Sequence, residues 1–209
     1  MVGSRSLTGS RRAAIQKAFT QLMSRLNEEF SFGLHGKFVI ALGDEFEGLI
    51  QASAASQVIP NLIWRIEQLF SDPAIRLGFG FGGIDTPIED NVSSLDGPAF
   101  HRAREAVEGA AKSRKMGGVF QGFGNKHDEV LNGIARILHL QRSRWSRQQR
   151  NVAVLLRQGL RQSEVARAMS RSRQAVSIDV RAAGWEAYVE GELAFTKALE
   201  GAIAAGGSR

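Results

Sequence analysis

The chain has 209 residues, 43% of them hydrophobic and 8% aromatic, with a net charge of +6, a composition that builds a globular core and excludes a disordered polyelectrolyte. It has no cysteine, which excludes disulfides and thiolate zinc sites, and its four histidines never take the close helical spacing of a transition-metal pair. No apolar run reaches the roughly 20 residues of a membrane helix and the N-terminus lacks a basic-then-apolar secretion signal, so a cytoplasmic protein with no membrane partner is expected.

The first element is an amphipathic helix from Ser10 to Phe30, since Ile15, Phe19, Leu22, Leu26 and Phe30 recur at steps of three and four. A strand follows at Phe38–Leu42, then an acidic turn at 43–45, a resumed apolar step at Phe46 and a helical pattern to Phe70 that Pro60 is expected to break or kink. Ile75–Ile84 (IRLGFGFGGI) alternates apolar residues with glycine, which suits a strand lying close to another backbone or a ligand. Asp96-Gly97-Pro98 opens another helix with Pro98 near its first turn, and Val119–Phe123 forms a last short strand. The order α-β-β-α-β-α-β predicts an α/β sandwich over residues 1–126, with the helices between strands of one sheet. An amphipathic linker or dimer-contact helix over 127–145 leads to an all-α module over 146–203.

The excess charge is confined to that module. Residues 1–140 carry 15 basic and 15 acidic side chains, whereas 141–181 carry ten arginines against Glu164 and Asp179 alone. Backbone phosphates are the commonest partner of such a block, with a solvated helix face as the bland alternative. Three short helices, Ser146–Arg157, Gln162–Met169 and Ser172–Ala183, share buried positions at Val165, Met169, Val176 and Val180, and QSEVARAMSRSRQAVSIDV fits a helix-turn-helix. The third helix turns Arg173, Gln174, Ser177 and Arg181 outward, with Ser172 at its start, and these are groups that read guanine, adenine and either base in a major groove. Arg171 and Arg147 are placed for phosphates. A trihelical protein-contact module is the competing reading. The turn between the second and third helices holds Ser170 where glycine is usual, so it is expected to relax slightly. Asp179 is an odd acid on this surface unless it pairs with an arginine.

Asp44 and Glu45, adjacent carboxylates at a strand tip beside Gly43, form either a solvated turn or part of a magnesium site. The segments MVGSR at the start, LGDEFEGL at 42–49, IRLGFGFGGI at 75–84 and DGPAFHRAREA at 96–106 resemble the SatD family over nearly the whole chain. The N-terminal half also resembles the ferredoxin-like palm of GGDEF diguanylate cyclases and class III nucleotidyl cyclases, with GDEF in place of their metal-binding hairpin. That likeness implies Mg²⁺ on Asp44 and Glu45, and a nucleotide held by Gly43, Asp44, Glu45, Asp96 and Arg102, with His101 grouped nearby. A residue-level reading makes Asp96 a cap, His101 a surface residue and Arg102 the partner of a glutamate. Leu42 replaces the first glycine of the hairpin, and the apolar strand ending in Gly-Asp that SatD-like chains carry before VGSR does not precede Val2. Either that strand has been lost or Met1 is an internal start. The expected function is a DNA-binding transcriptional regulator, acting as a homodimer, with a non-catalytic nucleotide-sensing palm. The alternatives are an active nucleotidyl cyclase or nucleotidyltransferase, in which Asp44 and Glu45 are catalytic, and a dimerisation scaffold without a ligand.

Overall fold

A computed structural model describes residues 9–41, 45–69, 75–87, 92–113 and 116–206. Helix α1 (Gly9–Glu29) is followed by strands β1 (Leu34–Ile40) and β2 (Phe46–Ile50), helix α2 (Ala55–Leu69), strand β3 (Gly78–Gly80), helix α3 (Pro98–Ser113) and strand β4 (Val119–Gln121). Five helices complete the chain: α4 (Asn125–Ser143), α5 (Arg147–Arg157), α6 (Gln162–Ala168), α7 (Arg173–Ala182) and α8 (Trp185–Gly206). The molecule is thus a small α/β unit followed by an all-α bundle, in the predicted element order.

The described strands pair as two ribbons. β1 and β2 form an antiparallel hairpin with Ile40 opposite Phe46, and β3 and β4 form a parallel pair with Phe79 opposite Phe120. A parallel pair needs a crossover, and α3 supplies it. Each ribbon is closed at one edge by an asparagine whose amide mimics a neighbouring strand. Asn27 of α1 donates to the Phe38 carbonyl and accepts from the Phe38 N–H, at 2.9 and 2.7 Å. Asn132 of α4 does the same to Phe120 at 2.9 and 2.8 Å. Edge groups that would otherwise lie unpaired in a buried setting are satisfied from the side chain.

The glycines of the GFGFGG run serve another backbone. A Cβ at Gly80 would lie 2.0 Å from the Ala99 carbonyl oxygen and one at Gly78 would lie 2.4 Å from that of Ala103, so only glycine lets α3 sit directly on β3. Pro60 does not break α2, which runs unbroken from Ala55 to Leu69 with the proline in its second turn and its ring buried. Burial of Val58, Ile59, Leu62 and Ile63 around it offsets the one backbone bond it forfeits.

One core joins α1, α2 and the strands to α4 and α8, with Phe19, Leu62, Phe120, Leu131, Phe195 and Leu199 essentially inaccessible. Helix α4 therefore contributes Leu131, Ala135 and Leu138 to the main core, and α8 returns from the far end of the chain to cover it. A second, smaller core of Val152, Val165, Ala166, Val176 and Val180 holds α5, α6 and α7 together. Trp185 packs against both.

Candidate nucleic-acid interface

Helix α5 starts at a capping box. The Ser146 hydroxyl accepts from the Gln149 N–H at 3.2 Å, while the Gln149 side chain accepts from the Ser146 N–H at 2.8 Å. It stops at Gly159, whose φ of 89° allows the Gly159 N–H to reach the Leu156 carbonyl and the Leu160 N–H to reach that of Leu155. Helix α6 stops by the same double bond, Ser170 N–H to Arg167 and Arg171 N–H to Ala166, but with serine at the left-handed position, φ 53°. The expected relaxation of this turn does not occur. Ser170 adopts the conformation that glycine would, because Val165, Ala166 and Val176 are locked in one core on either side of it.

Ser172 caps α7, its hydroxyl accepting from the Ala175 N–H at 3.1 Å. Val176 and Val180 face the small core, which turns the opposite face of α7 to solvent. Arg173, Gln174 and Arg181 are exposed and Ser177 is half-buried between them. None of these four side chains has a hydrogen-bond or ionic partner among the described residues. Ile178 lies on the same face with half of its surface open (50%), an apolar group of the kind that packs on a thymine methyl. Sequence reasoning passed over it because an isoleucine in a helix reads as core. Its position two residues after Val176 and two before Val180 is the signal that it faces out.

Arg171 is placed differently. It is half-buried and forms a short ion pair with Asp179 nearly two turns into α7, which accounts for the acid on this surface and holds the turn against the helix. Arg147 is exposed in the first turn of α5.

A buried polar chain ties this module to the main core. Glu67 of α2 accepts from Arg142 Nε at 2.6 Å and contacts His139 Nδ1 at 2.9 Å, both on α4. Arg142 also donates to the Tyr188 hydroxyl of α8 at 2.8 Å, and Tyr188 donates to Glu192 at 2.9 Å. Glu192 accepts from Arg157 of α5 at 2.5 Å, and Arg157 reaches Asn61 Oδ1 at 2.9 Å and covers the Trp64 ring at 4.5 Å. Burial would raise the Glu67 carboxyl, but His139 and Arg142 outweigh it and hold it below the usual range. Burial raises the Tyr188 phenol. Trp64, Trp145, Trp185 and Tyr188 pack ring against ring beside this chain. The Ala183 carbonyl, at the α7–α8 junction, accepts from both Gln141 and the Trp145 indole at 2.8 Å. The end of α7 is thereby bolted to the junction of α4 and α5.

The N-terminal expectations fare otherwise. Gly43 and Asp44 lie outside the described residues, and Glu45 is exposed where the hairpin closes, the Ala41 N–H donating to its carbonyl at 3.0 Å. Asp96 accepts from the Gly97 N–H at 2.9 Å and pairs with His101 at 3.3 Å, so it organises the start of α3. Arg102 donates to the Phe81 carbonyl at 2.6 Å, bracing α3 against the segment after β3 in place of the expected glutamate pair. The Mg²⁺–nucleotide expectation is accordingly corrected. Among the described residues no three His, Cys, Asp or Glu side chains gather closely enough to hold a metal ion, and the carboxylate and guanidinium assigned to the nucleotide are spent on the backbone of their own unit. One-sided carboxylate placement does not satisfy the near-octahedral demand of Mg²⁺.

No helix of the described residues is long and apolar enough to cross a membrane. A family model described as the SatD family matches residues 1–194. No curated protein and no solved structure matches the chain.

Proposed function

The chain belongs to the SatD family, and we propose that it is a DNA-binding regulator that reads duplex DNA as a homodimer through the outward face of α7. The observation that carries this reading is the contrast within one arginine block: Arg142, Arg157 and Arg171 are consumed by internal ion pairs, while Arg173 and Arg181 stand exposed beside Gln174 with no partner among the described residues. A helix whose inner face is fixed by Val176 and Val180 and whose outer face offers Arg, Gln, Ser and an apolar group has the chemistry of a major-groove reader. Arg147, at the start of α5, supplies a phosphate contact that carries no sequence information. Trp185 and Tyr188 pack on Trp64 of the α/β unit, and the Ala183 carbonyl is held by Gln141 and Trp145 at the α4–α5 junction, so α7 is anchored to the rest of the fold.

The test is an electrophoretic titration of the full chain on random-sequence and genomic duplexes at low and physiological salt. Binding that weakens steeply with salt is expected, as counterion release from several phosphates demands. Absence of binding at low salt would leave a protein-contact module as the better reading of α5–α7.

A further inference from the structure

On the side of α4 turned away from the core, Val130, Ile137 and Leu140 leave 50%, 67% and 44% of their surfaces exposed. They follow one another at steps of seven and three, so they form a single apolar ridge along a helix that has already buried Leu131, Ala135 and Leu138 on its inner face. Helix α8 lies antiparallel beside α4, with Leu138 against Gly191, where an added Cβ would come within 3.1 Å of the leucine. Its outer face alongside the ridge carries Ala187, Ala194 and Gly201 in heptad register, and a Cβ at Gly201 would meet nothing within 4 Å. A ridge of large side chains therefore runs beside a shallow furrow of small ones on one continuous surface.

That pairing of shapes is self-complementary. A two-fold axis parallel to the helices lays the ridge of one copy in the furrow of the other, so the contact closes on itself. Charge points the same way. The exposed ionisable residues of α4 and its cap are mostly basic (Lys126, Arg136 and Arg144 against Glu129). Those of α8 are mostly acidic (Glu186, Glu190 and Glu200 against Lys197). Neither Arg136 nor Arg144 has an ionic partner within the chain among the described residues.

We infer that a second copy of this chain covers this face, α4 of each copy packing antiparallel on α8 of the other to give a four-helix seam. The Leu138–Gly191 contact sets the level. Ile137 enters the furrow between the partner's Gly191 and Ala194, Val130 enters near the partner's Gly201, and Arg144 meets the partner's Glu186. Crossing helices at small residues lets backbones approach closely while large knobs fill the gaps. This rests on the homodimeric reading above and deepens it: Ala183 is bonded to Gln141 and Trp145, so a seam on α4 and α8 fixes the separation of the two α7 helices. The seam would set the spacing of two half-sites.

The absence of native cysteine makes the arrangement directly testable. Ile137→Cys and Ala194→Cys are prepared separately, each in the full chain, then mixed and treated with a short bismaleimide. The mixture is expected to cross-link in high yield and either variant alone to cross-link poorly. Cross-linking by Ile137→Cys alone would instead place α4 on α4, and no cross-link in any arm would overturn the seam. Sedimentation of Ile137→Asp, whose site is too exposed for the change to unfold the chain, is expected to show self-association weakened at least about tenfold. Unchanged self-association would place the interface on another face. Duplex binding measured on the same samples separates the two ideas. A monomer that binds DNA removes the seam and leaves the reader, and a cross-linked dimer that binds no DNA does the reverse.

Discussion

Two sets of arginines from the same stretch of sequence behave in opposite ways. Arg142 and Arg157 lie in the protein, each on a carboxylate and each against an aromatic ring, Tyr188 and Trp64 respectively. Arg173 and Arg181 lie exposed on α7, with no ionic or hydrogen-bond partner among the described residues. The first set answers to α2 and α8, which are remote in sequence, whereas the second answers only to the helix it sits on. Net charge over a window therefore overstates what a partner can feel. The buried arginines stabilise the junction between the two cores, and only the exposed ones contribute to an external field.

The largest expected effect breaks the buried set. Glu67→Gln removes the carboxylate shared by Arg142 and His139 and leaves a buried guanidinium without its counter-charge, a change that typically costs about 3–5 kcal/mol. Thermal unfolding should register it as a large fall in midpoint. Duplex affinity, measured well below that midpoint, should stay close to that of the wild type.

The exposed set should show the mirror image. Arg173→Ala is expected to weaken binding to the preferred duplex by about 1–3 kcal/mol and to relax the preference at one base position. Its unfolding midpoint should not move measurably, since an exposed side chain without partners contributes within about 0.5 kcal/mol. A fall in stability comparable with that of Glu67→Gln would erase the distinction between the two sets.

Acid sharpens the comparison from the buried side. The Glu67 carboxyl is held below its ordinary value in the folded chain, so its contribution is present above the unfolded value of roughly 4.3 and is lost as pH falls through the lower, folded one. The wild type should lose stability over that window beyond what Glu67→Gln loses. Equal acid sensitivity in urea titrations at pH 5 and pH 3 would mean that the carboxylate is not what the arginine and histidine hold.

The smallest effect concerns the turn that presents α7. Ser170→Gly removes the steric cost of a left-handed serine, which is about 1 kcal/mol before glycine's own entropy is charged against it, so a gain of a few tenths to about 1 kcal/mol is expected. Denaturant midpoints resolve a shift of that size, and a loss of stability would show that the serine side chain does something its backbone angle does not reveal.

What could be read from the sequence divides along the same line. The three short helices α5, α6 and α7 were legible because their signals are local: Val165, Val176 and Val180 at helical spacing, inside a block rich in arginine. The order of the α/β unit was legible for the same reason, from alternation and glycine. The ion-pair chain was not, since Glu67 and Arg142 lie 75 residues apart and nothing local marks them as partners. That Pro60 does not end α2 was not legible, because the core packed around it offsets a local cost that the sequence shows alone. GDEF pointed to a metal hairpin by resemblance, but a ligand set is a convergence of side chains from several segments, and Asp96 and Arg102 spend their polar atoms on their own backbone surroundings.

The most direct test of the central claim is the sequence preference of three proteins selected in parallel from a random duplex library: the wild type, Gln174→Ala and Arg147→Ala. If the outward face of α7 is the reader, the wild type returns a defined motif. Gln174→Ala then loses information at one position of it, and Arg147→Ala returns the same motif with uniformly lower affinity and a salt slope reduced by about one. A wild-type selection without a motif, or one that Gln174→Ala leaves intact, would contradict the assignment of α7.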